Sequence, residues 1–157
     1  PPDDPRRAAA TAGPLLDAHR RPEPRLALGE VLLRHGATAA MDLSDGLLGD
    51  LPKILAASGV AARVSLAAVP VAAAVRALFP DDWPALATRG GEDYELLFTV
   101  PAERFAALSA AAAEVGSTVT AIGDVTASRP GEPTLSLRSE DGSVTVAEAG
   151  AFDHFSG

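Results

Sequence analysis

The chain has 157 residues, of which 47% are hydrophobic and 22% charged, and its 13 basic and 21 acidic side chains leave a formal charge of −8. There is enough apolar sequence for one domain with a core, which excludes a disordered chain, and the acidity argues against binding nucleic acid through its phosphate backbone. The absence of cysteine excludes disulfides and thiolate metal sites, and no apolar run reaches the roughly 18–20 residues of a membrane span.

Residues 1–24 read as a lead-in segment or linker ahead of a domain over 25–157. The opening PPDDPRRAAATAG is polar and proline-rich and lacks a signal-peptide layout. A start without Met is expected of a fragment or processed product, and the lack of cysteine fits a cytoplasmic protein. A short helix is predicted in AAATAGPLLDAHR, begun or broken at Pro14, and RPEPR forces an extended stretch. In RLALGEVLLRHG, the spacing of Leu26, Leu28, Val31, Leu32 and Leu33 predicts a helix with these residues roughly on one face, ended by Gly36. ATAAMDL reads as a buried strand. SDGLLGDLPKILAASG then reads as a helix with Leu47, Leu48, Leu51, Ile54 and Leu55 on its apolar side and Gly59 at its end. Pro52 is expected to kink this helix, or to restart it with Asp50 as a new N-cap.

VAARVSLAAVPV reads as a strand, AAAVRALFP as a short helix and DDWPALATRGG as a connection. EDYELLFTVP is the strongest strand signal, rich in aromatic and β-favouring residues and stopped by Pro101. AERFAALSAAAAEVG is predicted helical between Pro101 and Gly116. STVTAIGDVTAS reads as a strand and turn, and PTLSLRSEDGSVTVAEAG as a hairpin about Asp141-Gly142. Helices alternating with strands, and a hairpin coming late, predict an α/β (α+β) sandwich with a mixed, largely antiparallel sheet.

Three stretches carry candidate chemistry. Asp42, Ser44 and Asp45 crowd a strand-to-helix turn, where backbone N–H groups and the helix dipole favour anions and carboxylates can hold Mg²⁺. Helix capping by Ser44 or Asp45 is the competing explanation. In RGGEDYELLF, Gly90-Gly91 permits close backbone approach, and strand alternation would put Asp93 and Glu95 on one face and Glu92 with Tyr94 on the other. A plain glycine turn feeding an edge strand explains it equally well. The terminal FDHF holds Phe152 and His154; such a cluster commonly docks a tail, and His154 alone is weak support for a metal ligand. No P-loop, dinucleotide fingerprint or nucleophile elbow is present.

AAMDLSDGLLGDL, GGEDYELLFTVP, AIGDV and the terminal FDHF occur in the order and approximate spacing of the C-terminal half of thiamine-monophosphate kinase, which the chain resembles over about residues 20 to 155. That family shares a superfamily with aminoimidazole ribonucleotide synthetase, selenophosphate synthetase and a hydrogenase maturation factor. SDGL is widespread there; GGEDYELLF with the DHF tail is far more specific to the thiamine enzyme. The resemblance implies a layered α/β/α domain, partly ferredoxin-like, whose N-terminal ATP-binding partner domain is absent from this chain. It implies Asp42 and Asp45 as Mg²⁺ ligands, Ser44 as a nucleotide contact, and Glu92 and Phe152 as substrate contacts, with no catalytic residue assigned. The implied reaction transfers a phosphoryl group from ATP to thiamine monophosphate in the cytoplasm, by a homodimer when full length, without nucleic acid or membrane. The 157-residue chain alone is expected to be inactive. Pro52 departs from the family pattern. Another kinase or synthetase of the superfamily, or a non-catalytic ligand-binding or dimerisation module, is the alternative.

Overall fold

The computed structural model describes residues 4–139 and 142–146. In chain order they form α1 (Ala12–Arg20), α2 (Leu26–Arg34), β1 (Ala39–Asp42), α3 (Leu47–Ser58), β2 (Val60–Ser65), α4 (Ala73–Leu78), α5 (Trp83–Arg89), β3 (Leu96–Thr99), α6 (Ala102–Glu114), β4 (Gly123–Ala127), β5 (Leu135–Arg138) and β6 (Val144–Val146). Single turns of 3-10 helix lie at Pro5–Ala8 and Leu66–Ala68. No helix among these residues is long and apolar enough to cross a membrane.

Strands β1 and β3 pair antiparallel, from Ala39 opposite Thr99 to Asp42 opposite Leu96. The second sheet has the order β4-β2-β5-β6; β2 runs antiparallel to β4 and parallel to β5, and β6 closes a hairpin on β5. The mixed, largely antiparallel pairing expected from the sequence is present, divided between two sheets. The hairpin turn brings the Gly142 amide to the Ser139 carbonyl, with Gly142 at φ 82°; Asp141 lies outside the described residues.

Side-chain alternation along β3 decides how the layers pack. Leu97 faces the larger core, built on Leu47, Leu48, Leu51 and Leu55 of α3, Ala62 and Val64 of β2, Val69, and Leu135 of β5. Leu96 and Phe98 face the opposite core of Leu28, Val31 and Leu32 from α2 with Leu108 and Ala112 from α6. The two-stranded sheet is therefore a wall between two apolar layers, with α2 and α6 on one side and α3 on the other. The end of that wall is where β1 hands the chain to α3.

Several expectations change. The predicted single apolar face of α2 splits: Leu28, Val31 and Leu32 are buried, but Leu26 and Leu33 are 78% and 83% exposed. Leu26 and Leu33 are seven residues apart, almost two whole turns, so they share the outer face of the helix. Leu33 borders an open groove of about 380 Å³ between α2 and β1, with Leu32, Ala39 and Met41. Strand β1 alternates half-buried and exposed residues instead of being buried throughout, because its outer edge meets no other strand among the described residues. The stretch read as a connection contains α5: Asp82 is its N-cap residue, and Pro84 falls in the first turn, where its missing N–H costs no helical hydrogen bond. Helix α3 runs from Leu47 to Ser58 through Pro52. Asp50 therefore does not start a second helix, and Pro52 lacks the N–H that would bond the Leu48 carbonyl.

Leu108→Ala should lower unfolding stability by about 2–5 kcal/mol, since Leu108 is fully buried. Leu33→Ala on the outer face of α2 should stay within about 0.5 kcal/mol of the parent. Urea denaturation of both variants checks this assignment of inner and outer faces.

Candidate functional site

Helix α3 begins without a side-chain cap. Gly46 occupies the N-cap position, with φ +84°, and makes no side-chain cap hydrogen bond. The capping explanation for Ser44 and Asp45 therefore fails. The turn is held instead from inside the helix. Asp50, in the first turn of α3 and 0% exposed, reaches back toward the end of β1. Its Oδ2 accepts the Ser44 amide at 2.8 Å and the Asp45 amide at 2.9 Å. Its Oδ1 accepts from Lys53 Nζ at 2.7 Å, and the same ammonium donates to Asp45 Oδ2 at 2.6 Å. One buried carboxylate thus fixes two consecutive peptide groups, and a lysine one turn further along neutralises it.

The glycine-rich loop docks on the carbonyl side of this turn. The Glu92 amide donates to the Ser44 carbonyl at 3.0 Å and the Tyr94 amide to the Leu43 carbonyl at 2.8 Å, while the Leu43 amide donates to the Glu95 carbonyl at 2.8 Å. The two backbones touch closely enough to demand glycine. A Cβ on Gly91 would lie 2.6 Å from the Ser44 carbonyl oxygen, and one on Gly46 would lie 2.7 Å from that of Gly90. The two candidate stretches are therefore one structure. The strand expected over 92–100 is reduced to Leu96–Thr99, and the expected alternation of 92–95 does not hold. Glu92 and Tyr94 instead have φ of 70° and 52°, left-handed conformations that cost non-glycine residues of order 1–3 kcal/mol each. The hydrogen bonds to Leu43 and Ser44 hold them there.

The junction is acidic. Tyr94 donates to Glu92 Oε2 at 3.0 Å, and the Glu92 carboxylate first, then burial, then the Asp42 charge raise the Tyr94 pKa. Arg25, from the proline-rich stretch before α2, grips Glu95 through Nε at 3.0 Å and Nη2 at 2.6 Å. Asp93 is raised above the ordinary carboxylate value by desolvation first and by the Glu95 charge second, while His19 of α1 works the other way. For Asp50, burial opposes ionisation, but Lys53 and the Asp45 and Ser44 amides outweigh it and hold the carboxyl below its ordinary value. Lys53 is raised by Asp45 and then by Asp50.

The structure thus brings Asp42, Ser44, Asp45 and Glu92 to one junction. Asp42 is exposed at the end of β1, Ser44 and Asp45 are partly buried in the turn, and Glu92 is exposed. Phe152 and His154 lie outside the described residues. Asp42 and Asp45 present hard oxygen donors of the kind Mg²⁺ takes. Among the described residues no group of three or more His, Asp or Glu side chains is placed to hold a metal. Two carboxylates alone would leave such an ion most of its water shell. Sequence reasoning missed Asp50 and Lys53 as parts of the site. The available signal was an acid followed three residues later by a lysine, which places both on one helix face just after the turn.

Residues 3–136 match the AIR synthase related protein, C-terminal domain family, and the chain belongs to it. Within that class it is similar to thiamine-monophosphate kinases. It is 40% identical over 148 residues to the thiamine-monophosphate kinase of Escherichia coli (strain K12), covering 94% of this chain and 44% of that protein. The crystal structure of thiamine-monophosphate kinase from Stenotrophomonas maltophilia K279a superposes with a TM-score of 0.74 at 36% identity, covering 91% of this chain and 42% of that one. A structure of AaThiL complexed with AMPPCP and TMP gives a TM-score of 0.75 at 27% identity, with coverage of 94% and 43%. The chain thus spans less than half the length of these relatives.

Asp50→Ala should cost about 1–3 kcal/mol for each of the two amides, Ser44 and Asp45, that it leaves without an acceptor. The pH dependence has a definite sign. A native carboxyl held below its ordinary value near 3.8 contributes stability that is full above that value and is lost as pH falls through the lower native pKa. Stability measured from pH 7 down to about pH 2 should fall steeply below about pH 4 for the parent, and less steeply there for Asp50→Asn. Parallel curves for the two would contradict this role.

Proposed function

We propose that this chain is the C-terminal part of an ATP-dependent kinase that phosphorylates thiamine monophosphate to thiamine diphosphate, acting as a homodimer in the cytoplasm. One observation carries the reading: the MDLSDG turn and the GGEDYE loop interlock into a single acidic junction. Similarity to thiamine-monophosphate kinases supports it, as does likeness to a relative bound to AMPPCP, a non-hydrolysable ATP analogue, together with TMP.

The reaction asks little of acid–base side chains. The attacking group is a phosphate oxygen already ionised near neutral pH, so no general base is assigned. The difficulty is bringing two polyanions together, and positioning with charge neutralisation dominates such transfers. Mg²⁺, when bound, supplies the positive charge that screens the phosphates. On this reading Asp42 and Asp45 hold the ion, and Asp50 sets the orientation of Asp45 through its amide. Ser44 lies beside the nucleotide phosphates at the start of α3. Glu92, aligned by Tyr94, faces the cationic thiazolium, and Phe152 packs against the thiamine rings. The remaining part of the site belongs to the partner domain that proteins of the relatives' length carry.

In a protein of the relatives' length, Asp42→Asn should lower kcat roughly 10²-fold or more, the scale of losing a key electrostatic contact to a transition state. The melting temperature should hardly move, because Asp42 is exposed and the variant keeps its shape. Steady-state kinetics with thiamine monophosphate beside a thermal melt check this. A large stability loss with intact turnover would return the motif to a structural role. Turnover of other phosphate acceptors in preference to thiamine monophosphate would reassign the substrate.

A further inference from the structure

We propose that Lys53 is a tethered counter-ion that occupies Asp45 until a divalent cation binds there, so that cation binding and release of Lys53 are one event. The inference rests on the proposed metal role of Asp45. The Lys53 ammonium sits between two carboxylate oxygens, 2.6 Å from Asp45 Oδ2 and 2.7 Å from Asp50 Oδ1. A cation on Asp45 Oδ2 and an ammonium on the same oxygen repel each other at close range.

The surroundings make Lys53 the partner that leaves. Its side chain is 47% exposed, whereas that of Asp50 is 0% exposed. Asp50 also keeps both amide hydrogen bonds on its other oxygen, and the divalent cation arriving on Asp45 replaces the positive charge that Asp50 loses, so the turn retains its shape after the ammonium departs. The residue type fits as well. Lys53 is the sole lysine of the chain; the other 12 of its 13 basic residues are arginines. An arginine fork clamps a carboxylate in two places, whereas lysine offers a compact charge on a flexible stem. The chain thus places its sole lysine at the turn that presents Asp45.

The test uses the 157-residue chain, with Mn²⁺ as the probe, followed by water-proton relaxation. Lys53→Met should bind Mn²⁺ about three- to tenfold more tightly than the parent, the free-energy scale of a partly exposed charged hydrogen bond. Lys53→Arg should bind it no more tightly than the parent. A second measurement needs no variant. Acylation of the Lys53 amine by a limiting amine-directed ester, read by peptide mass mapping, should be faster with saturating Mg²⁺ than with chelator, and Asp45→Asn should abolish the difference. Mn²⁺ binding that depends on Asp45 but is equal in parent and Lys53→Met overturns the inference and leaves the metal reading standing. No Mn²⁺ binding by the parent or any variant of this chain overturns the inference, and leaves the metal reading to be decided on a protein of the relatives' length. If Lys53→Met does not fold, the acylation rate decides, and a rate indifferent to Mg²⁺ overturns the proposal.

Discussion

A carboxylate with no exposed surface, in a chain that already carries a charge of −8, is the feature on which the junction depends. Burying such a charge alone would cost several kcal/mol. Asp50 avoids that cost by receiving two amide N–H groups on one oxygen and an ammonium on the other. Because the two amides belong to adjacent residues, the carboxylate fixes the orientation of the peptides around Ser44. That aims the carbonyls of Leu43 and Ser44 outward, where the Tyr94 and Glu92 amides meet them. The left-handed conformations of Glu92 and Tyr94 result from that docking. A residue inside α3 therefore sets the shape of a loop more than forty positions away.

The same arrangement explains why so much negative charge collects without tearing the junction apart. Each acid has a structural partner or a route to solvent. Asp50 and Asp45 share Lys53, Glu95 is held by Arg25, Glu92 accepts from Tyr94, and Asp42 lies exposed at the strand end. The backbone stays rigid while several carboxylate oxygens remain at the surface. On the proposed reading this is the environment that phosphoryl transfer between two anions needs: fixed oxygen donors for a cation, with little acid–base chemistry beside them.

The periodic elements were legible in the sequence. Helices α3 and α6 follow their leucine and alanine stripes and end at glycines with positive φ. The β5–β6 hairpin follows its Asp-Gly turn. The features that were not legible are tertiary. Leu26 and Leu33 look like core residues by type, but Leu28, Val31 and Leu32 make the tighter stripe and turn them outward. Helix α5 was hidden by Pro84, which breaks a helix interior but suits a first turn. Residues 92–95 have strand-like composition, yet their hydrogen bonds run to Leu43 and Ser44 in a geometry that no local alternation describes. By type and position Asp50 resembles a cap for the residues on its C-terminal side. Its carboxylate instead binds the turn on its N-terminal side, a direction the sequence does not record. Glycines 90 and 91 were the one local sign that two backbones would meet.

Backbone amide hydrogen exchange on the native protein tests the central claim most directly. If Asp50 locks the turn and the turn locks the loop, the amides of Ser44, Asp45, Glu92 and Tyr94 should be protected together and share one opening free energy, close to that of the slowest amides in α3. In Asp50→Ala, which removes both acceptor oxygens, all four should lose protection in step. Glu92 and Tyr94 exchanging freely while Ser44 and Asp45 stay protected would show that the two motifs are separate loops that merely lie side by side.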